Sequence, residues 1–253
     1  MSESFSLAFS NSLFKKSITS FIFGLEFSAV MLLLGNGGNV PWLPPVLVFS
    51  VIGFFLVSSL LFPFIWHFLE RRQKVNSEKI FGFLYGGIRY CTAFNLAGFG
   101  WKKYYGLQFV VPEEVSNRAM NQQTGEWLTW FYFGYSHTYG ILIASIQIIG
   151  STLLLFRKTL LFGALILFTL LFNLTLINIF YEMNAGALLQ SILLTIGVLF
   201  LILPDYKKLI TFFFETKTLL PSFHFNRLVK NAIRISVLVL SLAFTIYLKS
   251  LIR

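Results

Sequence analysis

Arg89 stands near the middle of an apolar run, Lys103 follows fourteen residues later, and Gln108 comes after a short turn. His137, Asn178 and Glu182 lie in or at the ends of later apolar runs, and Glu26 sits near the middle of the first. Arg89 and Lys103 bring fixed positive charge that suits a small anionic ligand, while His137 or Glu182 can relay a proton. An arginine at mid-bilayer costs at least about 2.5 kcal/mol even on a lenient insertion scale. It must therefore be paired, hydrated, or both. Glu26, Glu182 or a bound anion is the expected answer to Arg89, and a purely structural ion pair is the alternative to a binding role.

Helical geometry says which way these groups point. At 100° per residue, Gly82, Gly86, Arg89, Ala93, Ala97 and Gly100 fall within about 80° of one another, with Cys91 opposite. Small residues in one stripe let helix backbones approach, so Arg89 is expected to face a bundle and not lipid. Lys103 lies on the same side at the outer end. Thr175, Asn178 and Glu182 share a side of a later run, and His137 shares one with Gly140, Ala144, Gln147 and Ser151. The expected result is a polar pocket in the outer half of a bundle, bounded by Arg89, Lys103, His137, Asn178 and Glu182. Trp101, Tyr104, Trp127 and Trp130 read as interfacial anchors.

The elements that would position these groups are membrane helices. The chain has 253 residues, 56% hydrophobic and 12% charged, half the charge of an ordinary soluble domain. An all-α, polytopic bundle is the expected class. A span needs about 20 apolar residues. Seven runs qualify: 18–34, 46–66, 80–100, 128–156, 159–181, 185–203 and 233–248. The first follows the polar stretch "MSESFSLAFSNSLFKKS", which lacks a small-residue cleavage site and is expected to lead into an uncleaved helix. The turn "GNGGNVPWLPP" closes that run, and Pro204-Asp205 is expected to stop the sixth. Residues 206–234 are basic with a short apolar patch and read as a surface-lying segment.

The net charge of +10 does not call for nucleic acid, because the basic residues sit in short loops between apolar runs. With the N-terminus inside, fourteen of the twenty Lys and Arg residues fall on the inner side and five on the outer, with Arg89 in the bilayer. That bias predicts an N-in, C-out protein of the bacterial cytoplasmic (inner) membrane. The single cysteine, Cys91, rules out an intrachain disulfide and CxxC chemistry. No haem or metal ligand set is legible among the three histidines, and there is no HExxH, Walker A or GxGxxG.

"RYCTAFNLAGFGWKKYYGLQF", residues 89–109, resembles the first helix of DoxX-like membrane proteins. The family pattern of an arginine, small residues, a glycine, a lysine and then a polar residue is matched by Arg89, Gly98 or Gly100, Lys102 or Lys103, and Gln108. "YGILIASIQIIGSTLLLFRKTLLFGALIL" is similar to the second helix, basic turn and third helix, with Gln147 before Gly150, and "NIFYEMNAGALLQSILL" to the next turn. The resemblance covers residues 80–207. It implies a four-helix core there, with 1–79 an added N-terminal hairpin and 208–253 a basic segment plus a last helix.

The resemblance also implies a membrane subunit of a redox or quinone-linked system, with a quinone as the candidate cofactor in the outer pocket. Any electron donor would then be a partner membrane or extracytoplasmic protein. The alternative is a non-enzymatic scaffold that holds a partner complex. A transporter ranks last, since inverted repeats and paired helix breaks are absent from the sequence.

Overall fold

The computed structural model describes residues 12–36, 40–216 and 226–251, with Leu251 by its backbone alone. The polar N-terminal stretch, the middle of the turn after the first run, and residues 217–225 of the basic segment lie outside them. All regular structure among the described residues is helical. The long helices are α1 (Leu13–Gly35), α2 (Pro45–Arg71) and α3 (Ser77–Tyr104). A four-residue turn, α4 (Glu113–Ser116), and then α5 (Gly125–Tyr135) lead to α6 (His137–Leu154). The chain continues through α7 (Leu160–Phe180) and α8 (Ala185–Ile202). The short α9 (Tyr206–Ile210) and α10 (Arg227–Leu251) complete it.

Among the described residues, six helices are long and apolar enough to cross a membrane: α1, α2, α6, α7, the helical run Ala185–Glu215, and α10. The helix α3 has the length but is not among the six. Arg89, Asn95, Lys102, Lys103 and its glycines dilute its apolar character. It is nevertheless central, packing against α1, α6 and α8.

The apolar run 128–156 is two helices, not one. Ser136 has extended backbone (φ −115°, ψ 110°) and its Oγ accepts from the Tyr139 amide at 3.3 Å. A serine oxygen placed there caps a new helix better than it serves inside an old one. The eleven residues of α5 are too short to span. Nor does Pro204-Asp205 end helical structure: Pro204 sits in the first turn of the 3₁₀ segment Leu203–Asp205, where its missing N–H is tolerated, and helical turns follow to Glu215. At the far end, residues 227–234 form the first turns of α10, after the Asn226 side chain accepts from the Val229 amide.

Residues 1–208 form one compact unit and 209–253 another. Within the first, α1 is as much a part of the core as any helix of residues 80–207. It packs on α2, α3 and α8, and Ala29, Glu26 and Thr19 are fully buried. Helices α1 and α3 run parallel: Phe23 fills the space beside Gly87, Glu26 meets Thr92, and Leu33 fills the space beside Gly98. Helices α6 and α7 close on each other through Gly150 and Gly163, where a Cβ would overlap Leu167 and Leu153. Between them the basic turn Arg157-Lys158 is exposed, and Thr159 Oγ1 donates to the Leu153 carbonyl. The helix α10 belongs to the second unit, and none of its described side chains is buried.

Candidate functional site

The structure distributes the expected pocket over several places. Arg89 is buried, 8% exposed, yet neither Glu26 nor Glu182 pairs with it. Its Nη2 donates to the Tyr90 hydroxyl at 2.8 Å, its guanidinium lies 4.7 Å from the Tyr90 ring centre, and its Nε has no acceptor. Tyr90 is itself exposed, so the arginine head leans toward the outside of the bundle. The small-residue stripe is only partly a packing face. Gly100 is packed against Ile148 and Ala144, whereas Gly82 is exposed and Gly86 has open space beside it. The buried face is wider, taking in Ile88, Thr92, Asn95 and Leu96, because three helices surround α3.

Three other expected pocket residues serve helix ends. His137 is the first residue of α6 and is exposed, a consequence of the break at Ser136. Glu182 is exposed with φ +51°, at the left-handed position after α7. The amides of Glu182 and Met183 donate to the carbonyls of Ile179 and Asn178, the pair of bonds that terminates a helix in this way. The Asn178 side chain donates to the Ala187 carbonyl at 3.1 Å and so ties α7 to α8.

Lys103 and Gln108 stand on either side of the turn that ends α3. The amides of Gly106 and Leu107 donate to Lys103 and Lys102 carbonyls, with Gly106 left-handed at φ +66°. That reversal folds the chain back over the helix end. Phe109, also left-handed at φ +67°, then stacks on Phe133 at 5.2 Å and meets Trp130 edge-on at 6.0 Å. Phe133 in turn stacks on Tyr139 at 6.1 Å. A bulky residue in this backbone region is strained, and tertiary packing must hold it there.

Lys103 is 8% exposed against this aromatic wall. Its Nζ lies 5.7 Å from the Phe99 ring centre and 5.8 Å from that of Phe109. Such cation–π contacts offset part of the desolvation, but neither ion pair nor hydrogen bond reaches this ammonium among the described residues. Gln108 Oε1 and Trp130 Nε1 are also buried and lack partners. The Phe109 ring thus has Lys103 and Trp130 against it. Continuous with Phe133 and Tyr139 is an open aromatic groove of about 430 Å³, lined by Met120, Leu128, Phe131, Tyr132, Tyr135, Ser136 and Tyr139.

The sequence reading missed a polar cluster at the opposite end of α1, α2 and α3. Lys16, fully buried, is ion-paired with Glu70, approaches His67 Nδ1 at 3.4 Å and lies 5.3 Å from the Trp66 ring centre. Ser77 joins the two partners: it donates to Glu70 and accepts from Trp66 Nε1 at 2.9 Å. Its components are satisfied, and it reads as a structural clamp at the helix starts. Among the described residues, no three His, Cys, Asp or Glu side chains converge as metal ligands.

Neither a family model nor a solved structure matches the chain. It is 32% identical over 127 residues to the uncharacterized protein YwoB of Bacillus subtilis (strain 168), a match covering 50% of this chain and 79% of YwoB.

Proposed function

The chain belongs to the same family as YwoB, and on that footing we propose that it is an integral membrane subunit of a quinone-linked system that binds a quinone headgroup at the outer end of its bundle. The observation that carries this reading is the Lys103 ammonium and the Trp130 indole set against the Phe109 ring, with Trp130 Nε1 and, on the residue before Phe109, Gln108 Oε1 buried and unpartnered. A quinone ring presents two carbonyl oxygens. The ammonium and the indole N–H are donors suited to them, the aromatic side chains suit the ring face, and the Gln108 oxygen would accept from a quinol hydroxyl. Buried polar atoms without partners carry a desolvation penalty that such a ligand would relieve.

In this reading α3 is a seventh span, its charged residues shielded by α1, α6 and α8. The N-terminus lies inside the cytoplasmic membrane of a bacterium and the C-terminus outside, so the Trp- and Tyr-rich groove falls at the outer interface, where such side chains concentrate. The chain's residues bind and orient the headgroup, and a partner protein exchanges the electrons. The likeness to DoxX-like proteins over residues 80–207 agrees with that role. Purified protein titrated with a short-chain quinone should show saturable quenching of tryptophan fluorescence. Lys103→Met should weaken binding at least tenfold. Absence of saturable quenching, or an unchanged K103M, contradicts the proposal.

A scaffold role is the second reading, and α10 favours it. Residues 227–251 form an apolar helix with no buried side chain, so its packing partner is not within its own unit. A stoichiometric protein that co-purifies with the full chain and is lost when α10 is deleted would support this role.

A further inference from the structure

Arg89 requires a counter-group, and the described residues supply no acid for it. Glu26 is held by Thr92, Glu182 is at the surface, and no ion pair reaches the guanidinium among those residues. The residue is nonetheless more than nine-tenths buried. Its nitrogens are unevenly used. Nη2 donates to the Tyr90 hydroxyl at 2.8 Å, Nε is enclosed without an acceptor, and Nη1 forms no hydrogen bond among the described residues. The Tyr90 oxygen accepts from the arginine, while its own proton has no acceptor among them. One hydrogen-bonded pair of side chains thus carries a positive charge and two unused donors, Nη1–H and the phenol O–H.

The pair stands at the exposed edge of α3. Phe83, Tyr90 and Phe94, at intervals of seven and four, share one face of the helix and are all exposed. Gly86 lies between that face and Arg89. It is three residues before Arg89 and four before Tyr90, and so is the helix-surface neighbour of both. No atom comes within 4 Å of where a Cβ would stand on Gly86, or on Gly82 one turn further. The reach of α6 explains this opening. Tyr139, at the start of α6, is linked through Phe133 and Phe109 to Lys103, and Gly100 packs on Ala144 and Ile148, so α6 runs antiparallel to α3. From Gly100 to Arg89 is roughly 16 Å of helix, whereas only roughly 9 Å remains between Ile148 and the end of α6 at Leu154. Beyond that end α3 is uncovered on this side. Helical side chains lean toward the helix start, which carries the guanidinium toward the opening.

We propose that Arg89 and Tyr90 bind the phosphate of an anionic phospholipid seated in the cleft beside Gly86. A guanidinium offers a phosphate parallel N–H donors as well as charge, and the tyrosine hydroxyl adds a third donor. The acyl chains lie along the exposed face of Phe83, Tyr90 and Phe94. A lipid of net negative charge answers the arginine, whereas the amine of a zwitterionic headgroup offsets its own phosphate. Fourteen residues, roughly 21 Å along α3, separate Arg89 from Lys103, so this site is distinct from the one proposed for a quinone.

The test uses the purified full-length chain in an uncharged detergent, with its thermal unfolding midpoint followed as phosphatidylglycerol, phosphatidylcholine or inorganic phosphate is added. The expected result is a saturable rise with phosphatidylglycerol that neither of the others reproduces, as mass action requires of a ligand bound by the folded state. Arg89→Gln should raise the half-saturating concentration at least tenfold. Gly86→Leu should do the same, because it closes the cleft and leaves both donors in place. The open space at Gly86 accepts that side chain, so this variant keeps the test valid if the first fails to fold. Equal midpoints with the two lipids, a rise of the same size with inorganic phosphate, or a phosphatidylglycerol response unshifted in G86L would overturn the proposal.

Discussion

The Thr92 hydroxyl donates to Glu26 Oε2 at 2.7 Å, while Arg89, three residues before Thr92 on the same helix, forms no ion pair with that carboxylate. The two charges that a sequence reader would join across the membrane core are held apart by different neighbours, a threonine for the acid and a tyrosine for the base.

A double-mutant cycle checks that separation. Coupling between Glu26→Gln and Thr92→Val should be about 1 kcal/mol, the usual size for a single hydrogen bond. Coupling between Glu26→Gln and Arg89→Met should fall below about 0.5 kcal/mol, as for sites without a shared contact. Unfolding of the purified protein in mixed micelles provides the measurement. A larger arginine coupling would show an ion pair.

The Lys16–Glu70 clamp predicts a large loss. Lys16→Met removes the cation and leaves Glu70 facing Ser77 and Trp66 without its partner. Breaking a buried ion pair from one side costs about 3 kcal/mol. The same unfolding assay should show that loss, and the double variant K16M/E70M should recover part of it. Full stability in K16M alone would contradict the clamp.

Glu182 predicts a gain. Its φ of +51° is one that glycine adopts freely and an L-residue does not. Because its side chain is exposed, Glu182→Gly should raise stability by up to about 1 kcal/mol. An unchanged or lower unfolding midpoint would indicate that the carboxylate makes a contact of its own.

Gly197→Ala tests the packing around Glu26. The added methyl would occupy the carboxylate's space, and overpacking of this kind costs about 1–3 kcal/mol. Combining it with Glu26→Ala should restore stability, because the shorter side chain vacates that space. Without such rescue, the close approach of α1 and α8 is not what limits residue 197.

Helix existence was legible because long apolar runs in a chain with only 12% charged residues have few other solutions. The end of α3 was less so: the apolar run stops at Gly100, whereas the helix continues to Tyr104 and the chain reverses at the left-handed Gly106. Phe109 was not: its left-handed backbone depends on stacking with Phe133, which is distant in sequence and follows no local rule. The break at Ser136 hid inside an unbroken apolar run, and with it went the expected placing of His137. Asn178 and Glu182 lie on one helical side as the wheel required, yet the helix stop takes Glu182 out to the surface. Lys16 looked like an ordinary inner-side charge. Its burial requires three helix ends to meet, and no periodicity in one helix announces that. Lys103 was named from its side of the helical wheel and Gln108 from the DoxX-like pattern, while the chain reversal between them went unread. Trp130 passed as an interfacial anchor.

The central claim is that the outer-end aromatic site holds a quinone ring. Photolabelling of the purified full-length protein with an azido-quinone, followed by peptide mapping, tests it most directly. The account predicts saturable labelling confined to peptides containing Phe109, Trp130 or Tyr139, competed by unlabelled quinone and lost in Lys103→Met. Labelling that does not saturate, or that maps mainly to α1, α2 or α10, would contradict it.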